Sequence, residues 1–347
     1  MSTYKKIDLN QKTIFYFKDC FDKNGSPKSK DKIQWQFLSN PSGKPIVKMA
    51  IAENNETAGI YAVYGNKFKL GGQEALGVQS LDTMTDSDHR GKGLFIQLAS
   101  EVYDQSIKEK AALVYGFPNG NSIYGFKKKL EWAILDPVPF LIKPLRTKYF
   151  TSKIKGLKFL PDIKIPSFKG TKIKGVVIKT QNALPPEYNS IWNNFSEGIK
   201  VAINRDNDYL TWRYLDKPNE NYRIKHAYDD KGNYQGLIIY SIKDKHNGKI
   251  GYVMELIYSL GNPKSGKALL NAAISDMKLE KADCILSWCL DHSPNYSVFK
   301  KRSFLKMPDK LKPIELHFGA RAFDKKNADL IENRNNWFLS YSDSDTV

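Results

Sequence analysis

Nothing in the sequence comes near the roughly 20 consecutive apolar residues that an α-helix needs to cross a bilayer. The start, MSTYKKIDLNQK, lacks the apolar core of a secretion signal. A cytoplasmic location is therefore the expectation. Cysteine is scarce: Cys20, Cys284 and Cys289 are the only three. They cannot all pair within one chain and show no repeated metal-ligand spacing, which sets aside a disulfide framework and fits a reducing compartment. Acidic residues are also short, 37 Asp and Glu against 54 Lys and Arg, for a net charge of +17. That balance favours polyanionic partners such as nucleic acid, acidic lipid or a phosphorylated cofactor without choosing among them. Between Leu141 and Lys179, 11 basic residues face one acid, Asp162. Arginine is rare there, which weakens a nucleic-acid reading in favour of a lysine-rich solvated face.

What is present is enough apolar residue, 41% of 347, for two cores of roughly 150 to 200 residues each. PIVKMAIAE, TAGIYAVYGNKFKLGG and EALGVQSLDTMT read as strands, the second either a hairpin about Gly65-Asn66 or one long bent strand. LFIQLASEVYDQSIKEK changes period: Leu94, Phe95, Leu98, Ala99, Val102 and Ile107 predict an apolar helical face. ALVYGFPN returns to strand, NSIYGFKKKLEW to a short helix and WAILDPVPFLI to strand.

A stretch punctuated by Pro161, Pro166 and Gly170 follows. The second unit begins near Val176, with PPEYNSIWNNFSEGI as a helix and NYRIKHAY, YQGLIIYSIKD and KIGYVMELIYSL as strands. GKALLNAAISDMKLEKA is then a helix, CILSWCL a strand, SPNYSVFKKRSFLKMP a short helix and IELHFGARAF a terminal strand. The order echoes the first unit. The expectation is an α/β fold with mixed central sheets flanked by helices, built as tandem domains at 1–142 and 176–347 about a basic linker at 143–175.

The segment TDSDHRGKGLF joins strand to helix through Arg90-Gly91-Lys92-Gly93. Glycines there permit close backbone approach and unusual dihedrals. Successive amides at a helix start form an anion nest that suits a pyrophosphate. Neither the triphosphatase loop GK[ST] nor the fingerprint GxGxxG is present.

With DTMTDSDHRGKGLFIQLA and GFPNGNSIYGFKKKLEW, the chain resembles the GCN5-related N-acetyltransferase (GNAT) superfamily over roughly Pro45 to Leu141. The resemblance implies acetyl-coenzyme A as co-substrate and tandem GNAT-like acyltransferase domains. Thr83, Met84 and Thr85 would flank the pantetheine arm. Arg90, Gly91, Lys92, Gly93, Leu94 and Phe95 would cradle pyrophosphate, and Asn119 and Asn121 would bind pantetheine or cap the next helix. Against the family pattern [QR]-x-x-G-x-[GA], Phe95 departs at the last position. The tyrosine that often protonates the leaving thiolate falls on Lys127, so Tyr124, one helical turn earlier, is the expected donor. The second-unit turn, SLGNPKSGKALL, lacks the pattern, and Pro263 removes an amide. A degenerate second domain that shapes the acceptor site is expected.

For an amine nucleophile, the candidate bases are Asp82, Glu74 and above all Glu255, a carboxylate among apolar neighbours. His89 is read as orienting the phosphate turn. The resemblance also permits a C-terminal carboxylate, Val347, as base, against a frayed or substrate-facing tail whose Asp343 and Asp345 attract a cation. The leading function is transfer of acetyl to an amine of a small metabolite or amino sugar by direct attack, with no stable nucleic-acid partner. Two alternatives stand beside it: a tRNA-dependent aminoacyltransferase for a cell-wall precursor, opposed by the missing helical arm, and a non-catalytic basic scaffold.

Overall fold

A computed structural model describes residues 4–43, 45–151, 156, 159, 161–166, 172–308, 312 and 314–346. The first half runs β1 (Lys5–Asp8), α1 (Ile14–Lys23), α2 (Lys30–Ile33), β2 (Ile46–Ile51), β3 (Thr57–Leu70), β4 (Gln73–Thr85), α3 (Leu94–Lys108), β5 (Ala111–Gly116), α4 (Ile123–Lys129), β6 (Ala133–Ile134), β7 (Phe140–Pro144) and α5 (Lys148–Thr151). The second half adds β8 (Val176–Thr180), α6 (Tyr188–Phe195), β9 (Val201–Ile203), α7 (Asn207–Leu210), β10 (Arg223–Asp229), β11 (Tyr234–Lys245), β12 (Gly248–Tyr258), α8 (Pro263–Leu279), β13 (Cys284–Trp288), α9 (Tyr296–Lys301), β14 (Leu305–Lys306), β15 (Gly319–Ala322) and α10 (Ala328–Ile331). Among the described residues these strands form two mixed sheets, ordered β1-β2-β3-β4-β5-β15-β6, with β9 on β3, and β14-β7-β13-β12-β11-β10-β8.

The turn-prone Gly65-Asn66 does not turn. Both residues lie inside the single strand β3, opposite Val78 and Gly77 of β4. Continuous cross-strand pairing overrides local turn propensity, and the reversal comes at Gly71-Gly72, both with positive φ. The α3 face lays Leu94, Leu98, Ala99 and Val102 against Tyr61, Val63, Val78 and Val114 of the first sheet. Ile107, expected on that face, is 50% exposed. At 100° per residue it stands opposite Leu98 on the helix.

The expected boundary near 142 falls inside β7, and the one near 176 at the start of β8. β7 leaves the first half and pairs with β13 and β14 of the second sheet. In return β15, from the second half, enters the first sheet between β5 and β6. WAILDPVPFLI is consequently not one strand: its two ends, β6 and β7, belong to different sheets. The side of the first sheet away from α3 merges with the second sheet into one core that contains Phe68, Tyr115, Trp288, Trp337 and Tyr341.

An internal repeat marks the join. KDKIQWQFL (30–38) and NDYLTWRYL (207–215) each form a helical turn that widens into a π-helical one. Ser29 and Asp206 cap them by accepting from Lys32 N and Tyr209 N. Trp35 and Trp212 stack at 4.9 Å and exchange hydrogen bonds, Trp35 Nε1 to Trp212 O at 2.7 Å and Trp212 Nε1 to Trp35 O at 3.0 Å. Each tryptophan thereby satisfies the carbonyl that the other's widened turn leaves free.

Candidate active site

β4 and β5 run parallel from Leu76 opposite Ala111 to Ser80 opposite Gly116, and there they part. β4 continues to Thr85 paired with β3 alone. The chain leaving β5 is drawn toward the second half: Phe117 packs on Phe318 and Trp288, and Pro118 O accepts from His317 N at 2.9 Å. Opposite Ile60 to Ala62, β4 carries a bulge whose extra residue puts Asp82 at φ 51°.

The resulting cleft has a volume of about 890 Å³. β4 contributes Ser80 to Thr85, the α1 side Phe21, Asn24 and Ser26, the turn before α3 Arg90 and Phe95, and the α4 side Phe117, Pro118, Asn119, Asn121, Ser122, Gly125, Phe126 and Trp132. Thr83, Met84, Thr85, Arg90, Phe95, Asn119 and Asn121 thus meet around one space.

Gly91, Lys92, Gly93 and Leu94 complete the turn between Arg90 and Phe95. Gly91 and Gly93 both have φ 77°, a left-handed conformation that a side chain resists by about 1–2 kcal/mol. Among the described residues the amides of Gly91 to Phe95 make no recorded bond to a carbonyl, leaving a row of donors at the start of a 15-residue helix. Asp86, fully buried, braces the turn by accepting from Asn24 Nδ2 and Asp88 N, each at 3.0 Å, with Lys23 Nζ at 3.3 Å. Burial works to raise its carboxyl, but these partners prevail and hold it below the ordinary value. Tyr4 and Lys92 reach His89 Nδ1 at 3.0 and 3.5 Å, consistent with an orienting His89.

Phe95 does not obstruct the turn. Its ring faces inward onto Tyr61 and Phe126 at 5.7 and 5.3 Å. Asn119 Oδ1 accepts from the amides of Asn121 and Ser122 at 3.0 and 3.2 Å, so it organises the entry to α4 while lining the cleft.

The two expected catalytic side chains lie elsewhere. Tyr124 is 66% exposed and absent from the cleft wall, because Gly125 and Phe126 are the residues of α4 that turn inward. Lys127 is exposed as well. Glu255 is 1% exposed on β12 and engaged by Arg205 Nε at 3.0 Å, Ser340 Oγ at 2.8 Å and the Ser342 hydroxyl. Asp343 joins that network through Arg205 Nη2 at 2.5 Å.

The tail is therefore neither frayed nor free to draw in a cation. Trp337, Phe338, Leu339 and Tyr341 are at most 1% exposed. Arg213 donates to Ser342 O and Ser344 O, and Asp345 pairs with Lys217 at 2.9 Å and Lys32 at 3.0 Å. Val347 lies outside the described residues.

Asp82, one of the candidate bases, lines the cleft, with two partners that the sequence did not single out. Asp82 Oδ2 accepts from Lys28 Nζ at 2.5 Å and Gln36 Nε2 at 2.6 Å. Its positive φ was legible only once the bulge was known, since aspartate tolerates that conformation better than most residues.

The second half repeats the geometry in filled form. β12 and β13 run parallel from Ile250 opposite Cys284 to Val253 opposite Ser287, and β12 then continues to Tyr258 paired with β11 alone. Tyr341 stacks on Trp288 at 4.9 Å and Asn295 Nδ2 donates to Leu256 O at 3.0 Å, placing protein where the first half has its cleft. Three of the turn amides are engaged: Leu260 N by Asn194 Oδ1 at 2.9 Å, Asn262 N by Ser259 O at 2.9 Å and Ser265 N by Asn262 O at 3.0 Å.

Residues 6–135 match the family model described as an acetyltransferase (GNAT) domain. A search among curated proteins finds no match. Among solved structures, a probable N-acyltransferase from Enterococcus faecalis is 13% identical with TM-score 0.61 and covers 94% of this chain and 74% of its own. N-myristoyltransferase of Saccharomyces cerevisiae, with bound myristoyl-CoA and inhibitors, is 13% identical with TM-score 0.60 and covers 100% and 87%. A GCN5-related N-acetyltransferase from Anabaena variabilis is 13% identical with TM-score 0.61, covering 94% and 74%. The chain thus has a mixed α/β fold of two sheets flanked by helices, like that of these solved structures. Over residues 6–135 the chain is similar to the GNAT acetyltransferase family.

Proposed function

We propose that the protein is an N-acyltransferase that takes acetyl from acetyl-coenzyme A and passes it to the amine of a small molecule by direct attack. The observation that carries this reading is the cleft at the β4–β5 divergence, open beside a helix start whose amides have no carbonyl partner. The acetyltransferase-domain match over 6–135 supports the same class of donor. The unpaired edge of β4 from Leu81 to Thr85 suits the amide-bearing arm of such a donor, and the Gly91–Phe95 amides suit its pyrophosphate.

Bound there, acetyl-coenzyme A supplies an activated thioester. The chain's own groups do the rest. The β4 bulge offers backbone donors beside the reacting carbonyl, and Asp82, held by Lys28 and Gln36, faces the incoming amine and receives its proton. Ser122 is the hydroxyl at the start of α4 that lines the cleft on the side of the leaving sulfur. No covalent intermediate on the protein is required. The second half binds no donor, because its own wedge and turn are engaged by protein, and it serves instead to close the acceptor side.

Two measurements test this. Acetyl-coenzyme A should raise the melting temperature in a concentration-dependent way, and titration should give one site per chain. A protein indifferent to acetyl-coenzyme A, or one binding two equivalents, is incompatible with the reading.

A further inference from the structure

Asp82 of the cleft wall pairs with Lys28, which is itself not one of the lining residues. The two side chains are only 12% and 15% exposed, and a pair so far removed from water adds little net stability. Asp82 itself holds a left-handed φ of 51°, a conformation that persists only when its surroundings enforce it. Lys28 Nζ also lies 5.5 Å from the ring of Phe21, which lines the cleft together with Asp82. Gln36, 1% exposed, gives its Nε2 to Asp82, while among the described residues its Oε1 has no hydrogen-bond partner. A buried amide oxygen without a donor is costly, and this one stands beside the carboxylate of the cleft wall.

These facts constrain what can enter. An acceptor ammonium arriving at Asp82 displaces Lys28 and finds a second acceptor in Gln36 Oε1. If the newcomer carries only a positive charge, Lys28 loses the carboxylate it is paired with. An acceptor that brings its own anion restores the pair: its ammonium takes the place of Lys28 at Asp82 and its carboxylate takes the place of Asp82 at Lys28.

We propose that the acceptor is a zwitterion, an amino acid or a close relative with a carboxylate a few bonds from the reacting amine, bound by exchange into the Lys28–Asp82 pair with Gln36 completing the ammonium site. The proposal rests on the acetyl-donor reading above and narrows its acceptor. In the reaction the ammonium gives up one proton to become a neutral amine, and its nitrogen attacks the thioester carbonyl. The C–S bond breaks as the C–N bond forms, and the thiolate is protonated. The sum is acetyl-S-CoA plus R-NH3+ giving the N-acetyl amide, CoA-SH and H+.

The test is release of free thiol by the full chain at saturating acetyl-coenzyme A with three acceptor sets: free amino acids of increasing amine-to-carboxylate distance, their methyl esters, and carboxylate-free amines including alkylamines and amino sugars. At least one free amino acid should exceed its own ester by about tenfold or more in kcat/KM, since a site built around polar groups rejects a ligand that leaves them unpaired. Lys28→Met and Lys28→Gln should abolish that preference through KM for the acceptor, with KM for acetyl-coenzyme A unchanged. The acid-to-ester comparison on the unaltered protein stands even if both variants fail to fold. Esters or amino sugars turned over as well as any acid would overturn the proposal. So would stabilisation by acetyl-coenzyme A with no turnover of any amino acid. A protein that acetyl-coenzyme A does not stabilise contradicts the donor reading itself, which separates the two failures.

Discussion

The ring of Phe95 fills the space that a side chain on Gly125 would need: a Cβ built there meets Phe95 Cε1 at 2.8 Å. The bulky residue at the end of the phosphate turn and the small one on α4 are a matched pair that seats α3 against α4 at the edge of the cleft. Gly125→Ala should therefore cost about 1–3 kcal/mol by overpacking, despite alanine's better helix propensity, and should weaken acetyl-coenzyme A binding. Restoring both properties with the double variant Phe95→Leu/Gly125→Ala would show a coupling in a double-mutant cycle; additive losses would contradict it.

Tyr124 faces solvent, so Tyr124→Phe should leave kcat within about twofold, whereas Asp82→Asn should lower kcat by about a hundredfold or more with acetyl-coenzyme A affinity preserved. Steady-state kinetics at saturating donor decide the matter. A large loss in the tyrosine variant would return the proton-donor role to that residue.

Arg205 serves two buried carboxylates at once, Glu255 and Asp343. Arg205→Met should destabilise by about 3–5 kcal/mol, because both carboxylates lose their cation in a site without water access. Urea denaturation followed by tryptophan fluorescence measures this directly.

Asp343 and Asp345, two residues apart, titrate in opposite senses. Burial, working against the pull of Arg205, pushes the Asp343 carboxyl up to about 6. Burial also opposes ionisation of Asp345, but Lys217, Arg213 and Lys32 outweigh it and hold that carboxyl well below its usual range. A folded pKa above the unfolded value of about 4 means that the Asp343 contribution is fully present below pH about 4 and lost as pH rises through about 6. For Asp345 the sign is reversed, with stability present above about 4 and lost as pH falls. The stability of the unaltered protein minus that of Asp343→Asn should thus decline from pH 4 to 6 and then level off. A difference that stays flat or climbs across this window speaks against the assignment.

How much of this was readable in advance follows from how each part is encoded. The donor end lies in one contiguous run, Thr83 to Phe95, whose glycines carry backbone information that no other residue supplies. The acceptor end does not. Lys28, Gln36 and Asp82 come from separate segments and meet only through the bulge in β4. Glu255 looked catalytic because an acid in an apolar strand is conspicuous, but its partner Arg205 sits 50 residues away on no shared pattern. The pairing of KDKIQWQFL with NDYLTWRYL was available in the letters, and a search for repeated tryptophan contexts finds it.

The order of synthesis acquires a meaning from the exchange of β7 and β15. β5, at whose end the cleft opens, leaves the ribosome with an unpaired edge, and the strand that covers it arrives only about two hundred residues later. Contacts of such separation are slow to form, and until they do the nascent first sheet exposes a template for association with other chains. The donor site is thus among the last things the chain completes, although its residues are among the first to be made.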